Sequence, residues 1–285
     1  MRLCRFNDDR LGLVEDDVIR DVTGALDVLP QARWPFPKGD ALIAHLDEVR
    51  TGAEALRAKV PPLPTNSVTL RSPVANPTKV VAAPVNYKKH LQEAIDDPET
   101  FSREHVRKIQ ETGLFLKAVS AIVGPSEGIY LRKTDRRNDH EIELAVVIGQ
   151  VADRVSRKNA LDYVAGYMIG LDMTIRGPEE RSLRKSIDSY CVLGPWMVTA
   201  DEIPDPSGLS LELKVNGEVR QSANTKDLII DVPGLIEFAS SFYTLQPGDI
   251  LMTGTPEGVG PVHPGDTIEA KIDQIGSMSV GVFAA

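Results

Sequence analysis

Two glutamates one residue apart, Glu141 and Glu143, open an apolar run over residues 144–149. In an extended strand, residues i and i+2 point to the same side, so both carboxylates project together while Ile142 faces away. Two carboxylates at the edge of a buried strand repel each other and need positive charge between them. Two sources are open: a metal cation, or the basic side chains nearby in sequence, Arg132, Lys133, Arg136 and Arg137. Asp172 closes a second apolar stretch and reads either as a third oxygen ligand or as a turn or capping residue. Three carboxylates with no His or Cys among them would suit a hard cation, Mg²⁺, Mn²⁺ or Ca²⁺, over zinc.

Three further groups could act beside such a centre. His90 and Glu93, three residues apart, share a face if helical, and a carboxylate that holds an imidazole makes a general-base pair. Such pairs also occur on ordinary surface helices. The stretch from Arg176 to Lys185, with Arg181 and Arg184 inside it, is either a solvated loop balanced by Glu179 and Glu180 or an anion pocket. Thr253-Gly254-Thr255-Pro256-Glu257-Gly258 is a Gly-rich turn whose backbone N–H groups could meet a carboxylate; it lacks the Gly-Lys-Ser/Thr ending of a phosphate loop.

The elements that must position these residues fall into two parts. Residues 1–72 read as a small α/β accessory domain. Short strands surround the turn Asn7-Asp8-Asp9, a helix is expected over residues 40–57, and Pro61-Pro62-Leu63-Pro64 makes a stiff connector. Residues 73–285 read as a strand-rich α+β domain. Strands are expected near residues 79–83, 121–123, 141–151 and 209–215, and residues 160–169 suit helix or strand. Asn216-Gly217 signals a tight hairpin, residues 233–241 a helix, and two Pro-Gly-Asp turns each launch a strand. No βαβ alternation appears, which argues against Rossmann and TIM-barrel architectures. The polar segment 88–113 is either an exposed helical pair or a mobile lid.

Composition bounds the partners. The chain has 285 residues and a net charge of -9, which argues against nucleic acid. Residues 1–72 hold 10 basic and 11 acidic side chains, so most of the excess acid belongs to the remainder. Cys4 and Cys191 are too few for a disulfide framework. No signal-like or membrane-spanning apolar run is present, so the expected setting is the cytoplasm.

Taken in order, the markers are Asn86-Tyr87-x-x-His90-x-x-Glu93, Phe115-Leu116-Lys117, Glu141-x-Glu143-Leu144, and Gly166-Tyr167 leading to Asp172 and Arg176. Lys185-Ser186-x-Asp188, Gly194-Pro195-Trp196, and Leu245-x-Pro247-Gly248-Asp249-Ile250 into Thr253-Gly254-Thr255-Pro256 follow. Over residues 81–280 they resemble the fumarylacetoacetate hydrolase family. The resemblance implies a mixed β-roll catalytic domain, a homodimer, and Mg²⁺ or Mn²⁺ on Glu141, Glu143 and Asp172. It also implies a His90–Glu93 catalytic dyad on a lid, Lys185 near the metal, and Arg176, Thr255 and Tyr87 toward substrate. Met173-Thr174-Ile175 between Asp172 and Arg176, Gly177 after them, and Ala118 after Lys117 depart from commoner family residues. The activity implied is hydrolytic C–C cleavage of a 2,4-dioxo acid to pyruvate and a carboxylic acid. Arg176, Arg181 and Arg184 would suit a second carboxylate, as in fumarylpyruvate or maleylpyruvate from aromatic-ring breakdown. Oxaloacetate decarboxylation, isomerisation or decarboxylation of hydroxymuconate-type diacids, and a non-catalytic organic-acid-binding dimer are the alternatives.

Overall fold

The computed structural model describes residues 1–97 and 109–285. Residues 98–108, part of the segment read as a helical pair or lid, lie outside the described residues.

The strand Ile142–Ile148 is buried at every position. Its continuous apolar run reflects apolar cores on both faces of the sheet. Ile142, Leu144, Val146 and Ile148 enter the larger cluster, while Ala145 and Val147 enter a second one on the opposite face. This strand pairs antiparallel with Val164–Asp172 on one side and Ile250–Met252 on the other. The stretch that suited helix or strand divides: residues Arg157–Tyr163 form a 3-10 turn and Val164–Asp172 a strand. Among the described residues these strands are the middle of a twelve-stranded sheet.

The N-terminal meander Arg2–Phe6, Arg10–Glu15, Val18–Asp21 continues that same sheet, because Arg2–Phe6 pairs with Cys191–Thr199. Pro62–Pro64 pairs with Val18–Asp21 as an edge strand, where missing N–H donors cost no ladder bond. The helix expected over residues 40–57 is broken at His45 into Ala41–Ala44 and Leu46–Arg57. Asp40 caps the first piece through Leu42 and Ile43 N–H, and its second oxygen accepts Ala75 and Asn76 N–H. One carboxylate thus ties the N-terminal part to the start of the second.

A five-stranded sheet, Glu218–Asn224, Ser210–Val215, Thr267–Ile272, Gly276–Ala284 and Ile129–Leu131, packs against the large core. Its hairpin turns at Asn216 (φ +52°) and Gly217 (φ +81°), the positive values a two-residue type I′ turn requires. A small sheet, Thr174–Ile175, Asn138–His140 and Gly260–Pro261, completes the fold. Cys4 and Cys191 are both free and buried, and burial pushes both thiols up to about 12.

The small sheet creates the site. Asn138–His140 and Ile142–Ile148 are nearly continuous, and so are Val164–Asp172 and Thr174–Ile175. Both chains leave the large sheet at one level, pair again in the small one, and bend at Glu141 and Met173. Across the bend Asp172 N–H donates to the Glu141 carbonyl at 2.9 Å. Glu141 and Asp172 thereby become neighbours.

The first Pro-Gly-Asp turn is held by Asp249, which is fully buried. It accepts the N–H groups of Thr78, Lys79 and Gln246, and it pairs with the Lys79 ammonium at 2.7 Å. Asp249→Ala leaves these donors without their acceptor, and the expected cost is about 3 kcal/mol. In a chain of this size that lowers Tm by roughly 6–12 °C, which calorimetry reads directly.

Candidate metal centre and active site

Glu141, Glu143 and Asp172 each offer an oxygen within 4.8 Å of the others, and all three are buried. Glu141 and Glu143 share a strand face by period two, and Asp172 joins them through the register Ile142↔Leu171. Of the basic residues nearby in sequence, Arg132 pairs with Asp188, Arg136 with Glu179, and Arg137 with Asp139.

The positive charge comes from farther along the chain. The Lys185 ammonium bonds Glu141 Oε2 at 2.7 Å, Asp172 Oδ2 at 2.6 Å and Thr174 Oγ1 at 2.7 Å. Lys117, fully buried, donates to Asp172 Oδ1 at 2.5 Å and to the Lys185 carbonyl. Arg176 is held between Asp139 at 2.7 Å and Glu141 at 3.2 Å. Its guanidinium therefore supports the acid cluster.

These cations are unevenly shared. Burial alone would raise the Glu141 carboxyl, but Lys185 and Arg176 outweigh it and hold it at about 2. Glu143 has no ion-pair partner among the described residues and accepts only Gly254 N–H, at 2.7 Å. Burial, and then the Asp172 carboxylate, push it well above its usual 4.5. Three buried carboxylates from oxygen-only side chains, one lacking a counter-charge, fit a hard divalent cation. Gly254 delivers its N–H from a backbone at φ +95°, and a Cβ there would lie 2.7 Å from Asn86 Cβ, so glycine alone fits.

The His90–Glu93 pair lies near this centre, where His90 acts on the Glu141 carboxyl. Lys88–Asp96 is a helix with His90 and Ala94 buried, which differs from an exposed surface pair. His90 Nδ1 and Glu93 Oε2 are 2.8 Å apart, and Glu93 Oε1 accepts Gly258 N–H at 2.9 Å. Asn86 anchors the start of the helix. Its amide donates to the carbonyls of Ile230 and Thr253 and accepts Ile230 N–H. Tyr87 follows, 1% exposed, and its hydroxyl has no hydrogen-bond partner among the described residues. Burial, then Glu143, raises that phenol, keeping it a neutral donor.

The basic stretch forms the short helix Arg181–Lys185. The Arg181 guanidinium lies 5.4 Å and the Lys185 ammonium 5.3 Å from the centre of the Phe115 ring. Arg181 has no carboxylate partner among the described residues, and burial, then Arg184, lowers its pKa. Arg184 donates to the Glu179 carbonyl at 2.8 Å and is lowered by burial, then by Arg176. Thr255 is buried and accepts the Gln221 amide N–H at 2.8 Å. Sequence reasoning assigned no role to Lys117, Asn86, Asp139 or Gln221. Lys117 and Asn86 stood within quoted motifs; Asp139 and Gln221 carried no signal.

The bent strand pair and its oxygen donors define a strand-rich α+β protein built to hold a hard cation beside a histidine. Residues 79–283 match the family described as fumarylacetoacetate (FAA) hydrolase C-terminal, and the chain belongs to the fumarylacetoacetate hydrolase family. It is 55% identical over 284 residues to a maleylpyruvate hydrolase of Aquipseudomonas alcaligenes, covering 99% of each chain. It is 38% identical over 234 residues to a mitochondrial oxaloacetate tautomerase of Rattus norvegicus, covering 78% of this chain and 72% of that one. The crystal structure of maleylpyruvate hydrolase from Sphingobium sp. SYK-6, in complex with manganese (II) ion and pyruvate, matches with TM-score 0.85 and 42% identity over 100% of both chains.

A raised Glu143 pKa makes the metal-free protein bind an extra proton above pH 4.5. Its stability from this group falls as pH rises from there toward the raised value, and cation binding releases the proton. Mn²⁺ affinity is therefore expected to strengthen with pH across that window. Calorimetric titration in two buffers of different ionisation heat should show proton release, and Glu143→Gln should abolish both release and tight binding.

Proposed function

We propose that this chain is a divalent-cation-dependent hydrolase that cleaves the C–C bond of an acylpyruvate, with maleylpyruvate as its substrate and aromatic-compound degradation as its setting. The observation that carries the reading is the three-carboxylate corner with the His90–Glu93 pair, its histidine buried, beside it. The full-length identity to a maleylpyruvate hydrolase supports the substrate.

Glu141, Glu143 and Asp172 would hold Mg²⁺ or Mn²⁺, which when bound supplies Lewis-acid polarisation of a 2-oxo carboxylate. His90 takes a proton from water at Nε2, since Glu93 engages Nδ1 and orients the ring. The water oxygen joins the distal carbonyl carbon, the C–C bond to the pyruvyl methylene breaks, and that carbon takes the proton back. The products are pyruvate and a dicarboxylic acid. Lys185 faces the charge that develops on oxygen. Thr255 and Tyr87 donate to the substrate's oxygens, and Arg181, with Arg184 behind it, receives the distal carboxylate. Arg176 steadies Glu141 and Asp139 from its buried place.

All of these residues lie within residues 73–285, which the proposal treats as the catalytic domain, with residues 1–72 as an accessory domain. The active form is a homodimer in the cytoplasm, acting without nucleic acid; no helix among the described residues is long and apolar enough to cross a membrane.

With Mn²⁺, purified protein should bleach the absorbance of maleylpyruvate and release pyruvate stoichiometrically. Preferential turnover of oxaloacetate would favour the tautomerase or decarboxylase alternative. His90→Ala should lower kcat by about 10²–10⁴ with Mn²⁺ affinity retained. Arg181→Ala should raise KM about tenfold for maleylpyruvate and leave acetylpyruvate, which has no distal carboxylate, nearly unaffected; an equal loss on both substrates removes Arg181 from that role.

A further inference from the structure

Gln221 is an anomaly in its strand. Glu218–Asn224 is otherwise mostly exposed, yet Gln221 is 1% exposed. Its amide is fully engaged. Oε1 accepts Ile142 N–H at 3.0 Å and lies 3.2 Å from His140 Nδ1, while Nε2 donates to Thr255 Oγ1 at 2.8 Å and the Pro256 carbonyl at 2.9 Å. A backbone N–H only donates and a backbone carbonyl only accepts, so the amide has one possible orientation. Ile142 stands between the two glutamates of the triad, and Thr255 follows the glycine that bonds Glu143. The turn carrying Thr255 is pressed onto this strand: a Cβ on Gly258 would lie 2.1 Å from the Arg220 carbonyl.

A hydroxyl that accepts an N–H keeps its own proton to give. The Thr255 proton has no acceptor among the described residues. We propose that Gln221 is a positioning residue that fixes the Thr255 hydroxyl as a donor toward the carboxylate of the bound 2-oxo acid. It rests on the reading that Thr255 meets that carboxylate. Gln221 does this from the five-stranded sheet, and the same side chain holds the backbone of the Glu-x-Glu segment. The spacing between the cation ligands and the carboxylate donor is thereby set by one amide.

The test is a double-mutant cycle on the Mn²⁺-loaded full chain, reading kcat and KM for maleylpyruvate and inhibition by pyruvate. Thr255→Val should raise KM and the pyruvate inhibition constant about tenfold, with kcat changed less than about threefold. Gln221→Met, of similar shape and without the amide, should do the same alone and less than about twofold in the Thr255→Val background. Gln221→Glu provides a second variant: its extra oxygen accepts the Thr255 proton and turns it from the substrate, so KM should rise further. Equal losses from Gln221→Met in both backgrounds, or an unchanged KM in both Gln221 variants while Thr255→Val raises it, overturn the inference and leave the site reading intact. An unchanged KM in Thr255→Val overturns the assignment of Thr255 itself, and the inference with it.

Discussion

Three carboxylates buried side by side cannot all stay charged without cations among them, and this constraint organises the rest of the molecule. Like charges a few ångströms apart in a poorly polarisable interior repel strongly. The fold meets this partly with its own side chains. Lys185 reaches Glu141 and Asp172, Lys117 reaches Asp172, and Arg176 reaches Glu141. Glu143 is the residual imbalance, bonded by one backbone N–H from a glycine that no other residue could replace. A site left short of one cation binds a hard metal for the same reason that it would be unstable without one.

The chain spends much of its architecture on that corner. Two adjacent strands leave the large sheet together and re-pair in a small one, which aligns Glu141 with Asp172. The buried apolar faces on either side fix the register, because a slip of one residue would turn Glu143 into the wrong core. The turn over residues 253–258 then faces both ways. Gly254 binds a carboxylate of the triad, and Gly258 binds the glutamate that orients His90. The carboxylate triad and His90 are thus referenced to one short backbone segment. Catalysis that depends on fixed distances between a polarising centre and a base gains from such a shared anchor.

How much of this was legible in the sequence depended on the range of each interaction. Glu141 and Glu143 were readable because a strand's two-residue period is local. Asp172 needed the resemblance, since its place depends on a register between strands. The hairpin at Asn216-Gly217 and the first three strands followed from turn chemistry. Residues 160–169 stayed ambiguous because a short apolar run suits either element; the structure places a 3-10 turn before the strand. The source of charge for the acids stayed open between a cation and Arg132, Lys133, Arg136 and Arg137, because proximity in sequence says little across a sheet; Lys185, Lys117 and Arg176 reach them in the structure. Gln221 sits in a polar strand and had no sequence signal; its burial follows from the turn packed on it. The prolines read as a connector also serve as an edge strand.

The most direct measurement is anomalous diffraction at the manganese edge, from crystals of this protein grown with Mn²⁺ and pyruvate. The account expects one strong peak bonded to an oxygen each from Glu141, Glu143 and Asp172, with pyruvate on the side of Thr255 and His90. A peak elsewhere, or a triad that keeps its lysine pairs and takes no manganese, would contradict it.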